Sequence, residues 1–488
     1  MSEATEASEE TGLLAAPALS LPFLQRSISQ LNSLLLEERD QISSGEILPP
    51  AHLADQPPLA TSFSLLALLV FRETKLRTKS SYPDAWDQWK RESATEEWLN
   101  TIDENIEQIW TSFLSAFRGS ADLEIALWTE FRMNAKEPFL RVSDFVCSQP
   151  TLLNDRVVEL CMKFRWERGA PLEPSRSRQY LAPRYDASCT PWIYHAFDLA
   201  SQLAFLFLLA FYVLEPPKTL GPREIVLVII SISATLHSWT TSAPFILSIL
   251  AFVVAHPSLP SPYLPSPKNL SFNLLLLSLV MHILQLHALV LPSPSLLFWP
   301  ERCLPLAALI SSSVFGTISK VVLFFLPFFF LSFYFLSYSM SHIYFWQSSL
   351  LSMTLPSPVV TREVALWLAS VSFIIIFLSI LMLSPSFALS PRTRSPWDRY
   401  STSIGQEART RFYSAVVRYS RPYPFPPPFN VVHFILIVFP AYSLRSLGVS
   451  RSFFRRFEKF LWRLLVGPFV SVANLLTYKP SQRRHGGT

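Results

Sequence analysis

The chain has 488 residues, of which 50% are hydrophobic and 16% are charged, and its formal net charge is +5. This length accommodates a membrane domain and one flanking soluble domain. Residues 1–190 hold 28 acidic and 19 basic residues, whereas residues 391–488 hold 3 acidic and 16 basic ones. We expect an acidic amino-terminal domain and a basic tail that lies near anionic headgroups or folds onto that domain, with a merely solvated tail as the alternative.

Several functional classes find no support in the sequence. The first residues, MSEATEASEETGLL, are acidic and polar, which argues against a cleavable secretory signal. The four cysteines (Cys147, Cys161, Cys189 and Cys303) have no CxxC spacing and no histidine at ligand spacing, so they predict neither a metal site nor a disulfide framework. We find no nucleophile with a base, no glycine-rich phosphate loop and no paired intramembrane carboxylates, and therefore expect no catalysis, no cofactor and no nucleic-acid partner.

Residues 1–20 are predicted to be disordered, and residues 21–169 to form a cytosolic helical domain. The clearest element is EEWLNTIDENIEQIWTSFLSAF, an amphipathic helix whose apolar residues recur every three or four positions. These residues are Trp98, Ile102, Ile106, Ile109, Phe113 and Phe117. Residues 170–190 form a polar, proline-bearing linker.

Residues 191–385 carry very few charges and are rich in Phe and Leu, which predicts a polytopic helical membrane domain and an all-α fold. Each span needs roughly 20 apolar residues. We predict six spans, near 191–214, 223–239, 242–257, 270–291, 320–340 and 363–384. The second and third are short, so 223–257 could instead be one helix. Residues 302–319 are interpreted as an interfacial helix, with a seventh span as the alternative.

Basic residues next to the first and last spans set the expected orientation. They are Arg176, Arg178 and Arg184 before the first span and Arg392, Arg394 and Arg399 after the last. Such residues favour the cytosolic side, so both termini are predicted to be cytosolic, which an even number of spans allows.

Residues 341–362 form a segment between the fifth and sixth predicted spans that is too apolar for an ordinary loop. In six-span cation channels this place holds a re-entrant pore helix and filter. The pore-lining candidates are Gln347, Ser348, Ser349, Ser352 and Thr354 in the loop, with Ser372, Ser379 and Leu383 on the sixth span. No glycine occurs between Tyr334 and Pro396 to permit a tight filter turn.

The fourth predicted span contains His282, Gln285 and His287 but no arginine ladder, so steep voltage gating is not predicted. His282 and Gln285 share a helix face, and we expect them to bond to neighbouring spans rather than to sense protons. Asp198, near the start of the first span, is expected at headgroup depth.

Residues 386–430 follow the last span. They contain a helical stretch around Arg411, Phe412 and Tyr413, and then the run Pro426, Pro427, Pro428, Phe429 and Asn430. This order resembles the post-pore region of transient-receptor-potential (TRP) channels, in which a helix under the membrane precedes a proline-proline-phenylalanine-asparagine turn. The overall arrangement is most similar to the fungal vacuolar calcium channels of that superfamily.

The resemblance implies a homotetrameric, calcium-permeable, non-selective cation channel in a vacuolar or other endomembrane that releases calcium to the cytosol. The predicted loop lacks the glycine and the acid usual in such filters, so a non-conducting membrane scaffold or regulatory channel subunit is the alternative. A secondary transporter would need polar groups at mid-membrane in more than one span.

Residues 431–478 predict apolar and basic amphipathic helices, and residues 479–488 a disordered tail. In RSFFRRFEKFLWRLLVGPF, one face carries Phe453, Phe457, Phe460, Leu461 and Leu464, and the other carries Arg455, Arg456, Lys459 and Arg463. Such helices bind anionic lipid headgroups, including phosphoinositides, or calmodulin-type grooves. Packing on the acidic amino-terminal domain is the alternative. The apolar stretch from Val431 to Pro440 is too short to span and is expected to pack on the membrane domain or its surface.

Overall fold

The structure is a computed structural model, and the part of the chain that it describes is mostly helical. The described residues are 24, 27–28, 56–77, 85–116, 119–133, 139–169, 190–214, 222–237, 242–255, 267–287, 292–312, 316, 320, 323–327, 331, 374, 395–421, 423–444 and 451–477. Among them, the only sheet is a pair of two-residue antiparallel strands. The prediction of an all-α fold is therefore confirmed.

The chain forms two compact units. Unit 1 comprises Met1–Leu203, Ile225–Trp239 and Tyr413–Thr488, and unit 2 comprises Ala204–Glu224 and Thr240–Phe412.

The amino-terminal part of unit 1 is built around one buried helix. In chain order its elements are α1 (Pro57–Arg77), α2 (Ala85–Ala116), α3 (Ser120–Trp128), β1 (Phe131–Arg132), β2 (Phe139–Leu140), two 3-10 turns (Val142–Asp144 and Val146–Ser148), α4 (Pro150–Asn154) and α5 (Arg156–Arg168). Proline at the start of α1 suits a first turn whose amides have no helical partner. Every residue from Ser62 to Phe71 is buried, so α1 is the core on which α2 and α3 pack.

The predicted amphipathic helix is confirmed as α2. It buries Ile102, Ile106 and Phe113 as expected, and also Trp110, which the predicted apolar face omitted. The indole Nε1 of Trp110 donates a 2.8 Å hydrogen bond to Asp155. Asp155 also caps α5 by accepting the backbone N–H of Val157 at 2.6 Å. One carboxylate thus joins the start of α5 to the buried face of α2.

Two ion pairs connect the helices of this part. Arg72 on α1 donates to both carboxylate oxygens of Asp103 on α2, at 2.7 and 3.1 Å. Arg165 on α5 donates to Glu124 on α3 at 2.7 Å, and both side chains are only 8% exposed. The second pair is therefore a buried salt bridge, whose two charges must compensate each other.

The predicted membrane domain begins with a series of separate helices. They are α6 (Pro191–Leu214), α7 (Pro222–His237), α8 (Ala243–Ala255), α9 (Pro267–His287), a 3-10 turn (Pro294–Leu296) and α10 (Pro300–Ser312). Because α7 and α8 are two elements, the alternative of one helix over 223–257 is wrong. The helix expected over 302–319 is present as α10 as far as Ser312, and most of residues 313–319 lie outside the described residues.

One helix among the described residues, from Pro191 to Phe211 within α6, is long and apolar enough to cross a bilayer. Three other apolar stretches are shorter, at Ala243–Val254, Leu274–Ile283 and Phe429–Ser443. Most of the predicted fifth and sixth spans lies outside the described residues.

Within unit 2, three helices meet at an aromatic cluster. The ring of His282 on α9 lies 5.0 Å from that of Phe205 on α6 and 5.3 Å from that of Phe245 on α8. Ser278 on α9 donates a 2.6 Å hydrogen bond to the carbonyl of Pro244 at the start of α8. His282 therefore packs between α6 and α8, while the expectation that it and Gln285 bond to neighbouring spans stays a prediction.

The carboxy-terminal part begins with a 3-10 turn (Pro396–Asp398) and α11 (Thr402–Tyr419), which passes from unit 2 into unit 1 at residue 413. It continues with α12 (Phe429–His433), a π-helical turn (Phe434–Val438), α13 (Phe439–Leu444), α14 (Arg451–Leu465) and α15 (Gly467–Thr477). The helix predicted around Arg411, Phe412 and Tyr413 is therefore confirmed as α11, and the basic amphipathic helix as α14.

Candidate functional site

All eight pore-lining candidates lie outside the described residues. These are Gln347, Ser348, Ser349, Ser352, Thr354, Ser372, Ser379 and Leu383. The structure does describe the segment after the last predicted span, and the candidate site is built there, around the two ends of α11.

The beginning of α11, in unit 2, is held by a tight turn. Ser395 caps the turn by accepting the backbone N–H of Trp397 at 3.4 Å. The carboxylate of Asp398 forms an ion pair with Arg409 on α11. The Trp397 indole is fully buried and lies 5.6 Å from the ring of Phe412. Helix α10 packs against this turn. The start of α11 is thus fixed to the helix that precedes the fifth predicted span.

The end of α11, in unit 1, enters a buried polar cluster formed by Trp166, His195, Asp198 and Tyr419. The Tyr419 hydroxyl donates a 2.8 Å hydrogen bond to Asp198 on α6. The Tyr419 ring lies 5.3 Å from His195 on α6 and 6.3 Å from Trp166 on α5. The rings of Trp166 and His195 are themselves 5.5 Å apart. Three helices, α5, α6 and α11, therefore meet around one carboxylate.

Electrostatics favours a neutral Tyr419 in this cluster. Burial raises the pKa of Tyr419 well above its usual value, and the nearby Asp198 carboxylate raises it further. The phenol consequently keeps its proton and serves as the donor to Asp198. A hydrogen bond to an ionised acceptor in a buried place is stronger than a neutral one.

A further contact links α11 with the amino-terminal part of unit 1. The hydroxyl of Ser414 lies 3.5 Å from Sγ of Cys147, in the 3-10 turn before α4. Together with the buried polar cluster, this contact makes the second half of α11 a part of the interior of unit 1.

The proline-rich run predicted as a turn is a turn anchored on α7. Pro426 and Pro427 are buried, and the backbone N–H of Phe429 donates to the carbonyl of Pro426 at 2.9 Å. Asn430 is bonded twice to Ser233 of α7: its Nδ2 donates to the backbone carbonyl at 2.6 Å, and its Oδ1 accepts from the hydroxyl. The asparagine of the motif therefore fixes the chain after the turn to the second predicted span.

The helices after the turn pack on it through α14. The indole Nε1 of Trp462 donates a 3.0 Å hydrogen bond to the carbonyl of Pro424, and Lys459 lies over the ring of Tyr423 at 5.4 Å. His433 on α12 is 2.9 Å from a carboxylate oxygen of Glu458 on α14. These contacts set the rotation of α14 about its axis.

The structure shows which side of α14 is turned inward. Of the predicted apolar face, Leu461 is buried whereas Phe460 and Leu464 are exposed, and Trp462, which that face did not include, is buried. The reason is the hydrogen bond that the indole makes with the turn, because a buried indole N–H requires an acceptor. Of the predicted basic residues, Arg456 is exposed, and Lys459 and Arg463 are half-buried; the side chain of Arg455 lies outside the described residues.

The described residues contain no group of three His, Cys, Asp or Glu side chains that could hold a metal ion. The polar groups at this site are instead arranged for packing between helices.

Sequence reasoning singled out Asp198 and the proline motif but missed Trp166, His195 and Tyr419. One signal was present: His195 precedes Asp198 by three residues, which places both on one side of a helix, and an aspartate there requires a donor. The donor itself is more than 200 residues away in the sequence, and no local pattern identifies it.

The chain matches no family model and no curated protein sequence.

Proposed function

We propose that the chain is a subunit of a TRP-like, calcium-permeable, non-selective cation channel in a vacuolar or other endomembrane. In this proposal four copies surround a central pore, both termini of each copy are cytosolic, and opening releases stored calcium to the cytosol. Helices α6, α7, α8 and α9 are the first four of six spans. The pore is formed by residues 341–362 and by the sixth span.

The observation that carries the proposal is that α11, the helix following the last predicted span, is held at each end by a different helix of the predicted membrane domain. The 3-10 turn that immediately precedes it packs against α10, and its last residue, Tyr419, is bonded to Asp198 on α6. A free cytosolic tail would need neither contact. A helix with this position and these contacts is suited to link the end of a pore-forming span to the elements around it.

The proposed gating step follows from the stiffness of α11. An α-helix rises about 1.5 Å per residue, so the 18 residues of α11 form a rod about 27 Å long. A displacement of α10 that moves the Trp397 turn must also move this rod, because the turn is packed and ion-paired. The sixth span, which ends just before the turn, then changes position, and the cytosolic mouth of the pore opens or closes.

The second candidate is a non-conducting scaffold or regulatory channel subunit, and one sequence observation favours it. The loop, residues 341–362, contains no glycine and no acid, and the nearest acid, Glu363, stands beside Arg362. Contacts around α11 would serve such a subunit equally well, so conduction must be measured.

A flux assay tests the proposal. Purified protein is reconstituted into liposomes that contain a calcium indicator, and external calcium is then added. We expect calcium entry that exceeds that of protein-free liposomes and that also occurs for other small cations. Protein that is folded and correctly inserted but shows no flux under any cation gradient would favour the scaffold.

A further inference from the structure

An exposed apolar surface lies on the carboxy-terminal helices of unit 1. Its members, each more than half exposed, are Ile435, Phe439, Phe460, Leu464 and Val472. Scattered single apolar residues on a surface need no explanation, but a set of this size on linked helices indicates that something covers it. We refer to these five residues as the apolar surface.

The rotation of α14 makes this surface a stable feature. Trp462 is almost fully buried and bonded to Pro424, so α14 cannot turn Phe460 and Leu464 inward without breaking that bond. These two residues are four positions apart and share one helix face. The apolar surface therefore faces outward while the rest of α14 is packed.

The charge on α14 indicates the chemistry of the covering partner. The helix carries five basic residues and one acidic residue, Glu458, which is engaged by His433. Arg456 is exposed beside the apolar residues. A helix with a large apolar face and an excess of basic side chains is complementary to an anionic membrane surface. Acyl chains cover the apolar face, and anionic headgroups pair with the basic side chains.

A predicted span that is bonded to these helices also has an apolar exposed face. Asn430 bonds α12 to Ser233 of α7, and the exposed residues of α7 between positions 225 and 236 are all apolar: Ile225, Val226, Ile229, Ile232 and Leu236. Lipid covers such a face when α7 spans the bilayer. The segment that carries Ile435 and Phe439 is thus linked to that span through Asn430, a few residues earlier in the chain.

The apolar segment Phe429–Ser443 is long enough to enter one leaflet of a bilayer but too short to cross both. The stretch from Phe429 to Ser443 holds 15 residues, which is about 22 Å of helix and shorter than the roughly 30 Å hydrocarbon core. Every residue from Phe434 to Phe439 is apolar, and only Ile437 among them is buried. Apolar side chains are therefore exposed on most sides of this part of the segment. This segment fits a helix that enters the bilayer without crossing it.

We propose that α12–α15 insert the apolar surface into the cytosolic leaflet of an anionic membrane and thereby anchor the chain that follows α11. The occupant is the acyl region of the lipid, and the basic residues of α14 contact the headgroups. This inference rests on the proposed placement of α7 in the bilayer, but not on ion conduction.

Fluorescence quenching in the full-length protein tests this anchor. Single cysteines replace Phe439 or Leu464 in a chain whose native cysteines are removed, each is labelled with bimane, and the protein is reconstituted into vesicles of phosphatidylcholine and phosphatidylglycerol. Ile229→Cys on α7 is the control for the span, and Glu104→Cys, exposed on α2, is the control for water. We expect brominated acyl chains to quench positions 439, 464 and 229, and iodide to quench only position 104.

Each other result contradicts the anchor in a distinguishable way. Quenching of positions 439 and 464 by iodide places them in water, and protection from both quenchers means that protein, such as the acidic amino-terminal domain, covers them. If either result is obtained while brominated lipid still quenches the label at position 229, the proposed anchor is wrong but the placement of α7 in the bilayer stands. If position 229 also escapes lipid quenching, the proposed span fails as well.

A second measurement avoids removal of the cysteines. A photoreactive benzoylphenylalanine at position 464 of the otherwise unaltered chain is expected to form lipid adducts that mass spectrometry detects. Arg456→Gln should reduce their yield in phosphatidylglycerol vesicles by up to about fivefold, as one basic residue near an anionic surface contributes about that factor. Absence of lipid adducts, or adducts only with protein, contradicts the inference.

Discussion

Gly405 and Asp398 approach so closely that only glycine fits. A Cβ placed on Gly405 would lie 2.0 Å from Oδ1 of Asp398 and 3.0 Å from the carbonyl oxygen of Trp397. The glycine therefore allows the turn before α11 to fold back on the helix, and the Asp398 carboxylate to reach Arg409.

Gly405→Ala should displace this turn. The new methyl group overlaps the Asp398 carboxylate and is in tight contact with the carbonyl oxygen of Trp397, so the carboxylate must move. Overpacking of this kind costs about 1–3 kcal/mol. We expect a lower thermal unfolding midpoint in detergent and altered calcium flux in liposomes. Gly316→Ala is the control, because a Cβ there meets no atom within 4 Å. Equal effects of the two substitutions would contradict the role of Gly405.

Tyr419→Phe should loosen the buried polar cluster. The substitution keeps the ring but removes the donor to Asp198, which is only 2% exposed. Loss of a hydrogen bond to a charged group costs about 1.5–3 kcal/mol. Thermal unfolding of the purified protein measures the loss, and Tyr400→Phe, outside the cluster, serves as the control. A thermal unfolding midpoint unchanged by Tyr419→Phe would contradict a stabilising hydrogen bond between Tyr419 and Asp198.

The same tyrosine predicts a sensitivity to alkali. Its pKa is raised in the folded protein, so above the unfolded pKa of about 10 the unfolded chain loses a proton that the folded chain retains. The tyrosine's contribution to stability is therefore complete below that pH and declines as pH rises further. In Tyr419→Phe this decline should be absent, so the difference between wild type and variant narrows above about pH 10. A stability difference between wild type and Tyr419→Phe that grows as the pH rises above this value would contradict a raised pKa of Tyr419 in the folded protein.

Glu124 and Arg165 should behave as a coupled pair. Burial raises the pKa of Glu124, and the guanidinium of Arg165 at 2.7 Å opposes that rise. Removing one partner leaves an uncompensated buried charge, so Glu124→Gln or Arg165→Met alone should cost about 3–5 kcal/mol. The double variant should lie closer to wild type than either single one, which thermal unfolding can determine. Additive single effects would show that the two side chains act independently.

Asn430→Ala should release the proline-rich turn from α7. It removes two hydrogen bonds with Ser233 and leaves buried polar groups unsatisfied, at a cost of about 1–3 kcal/mol. We expect faster proteolysis of the region after Tyr423 and a lower unfolding midpoint. Asn100→Ala, at an exposed position of α2, should have no effect on either. A resistant Asn430→Ala protein would mean that other contacts hold the turn.

The sequence predicted the elements well where one periodic pattern determined them. The 3–4 spacing of Ile102, Ile106 and Phe113 identified α2, and apolar length identified α6. The rotation of α14 was not predictable in this way, because Phe460, Leu461 and Trp462 are all apolar and the choice among them depends on an acceptor, the carbonyl of Pro424, that lies 38 residues earlier. Hydropathy places a residue on a face but does not say which neighbour that face meets.

The candidate site was predicted only in part. The proline motif and Asp198 carry recognisable local signals, namely restricted backbone and a charge within an apolar helix. Tyr419, by contrast, is the last residue of an amphipathic helix like many others, and its burial results from the meeting of α5, α6 and α11. Pairings over such sequence distances are set by tertiary packing, which a single sequence does not reveal.

Single-channel recording is the sharpest test of whether this protein conducts cations. Purified protein is incorporated into planar bilayers with calcium on one side and potassium on the other, over a range of voltages and cytosolic calcium concentrations. For the proposed channel we expect unitary cation currents with measurable calcium permeability and only shallow voltage dependence, and a changed open probability in Gly405→Ala. Folded, inserted protein that gives no unitary current under any of these conditions would contradict it.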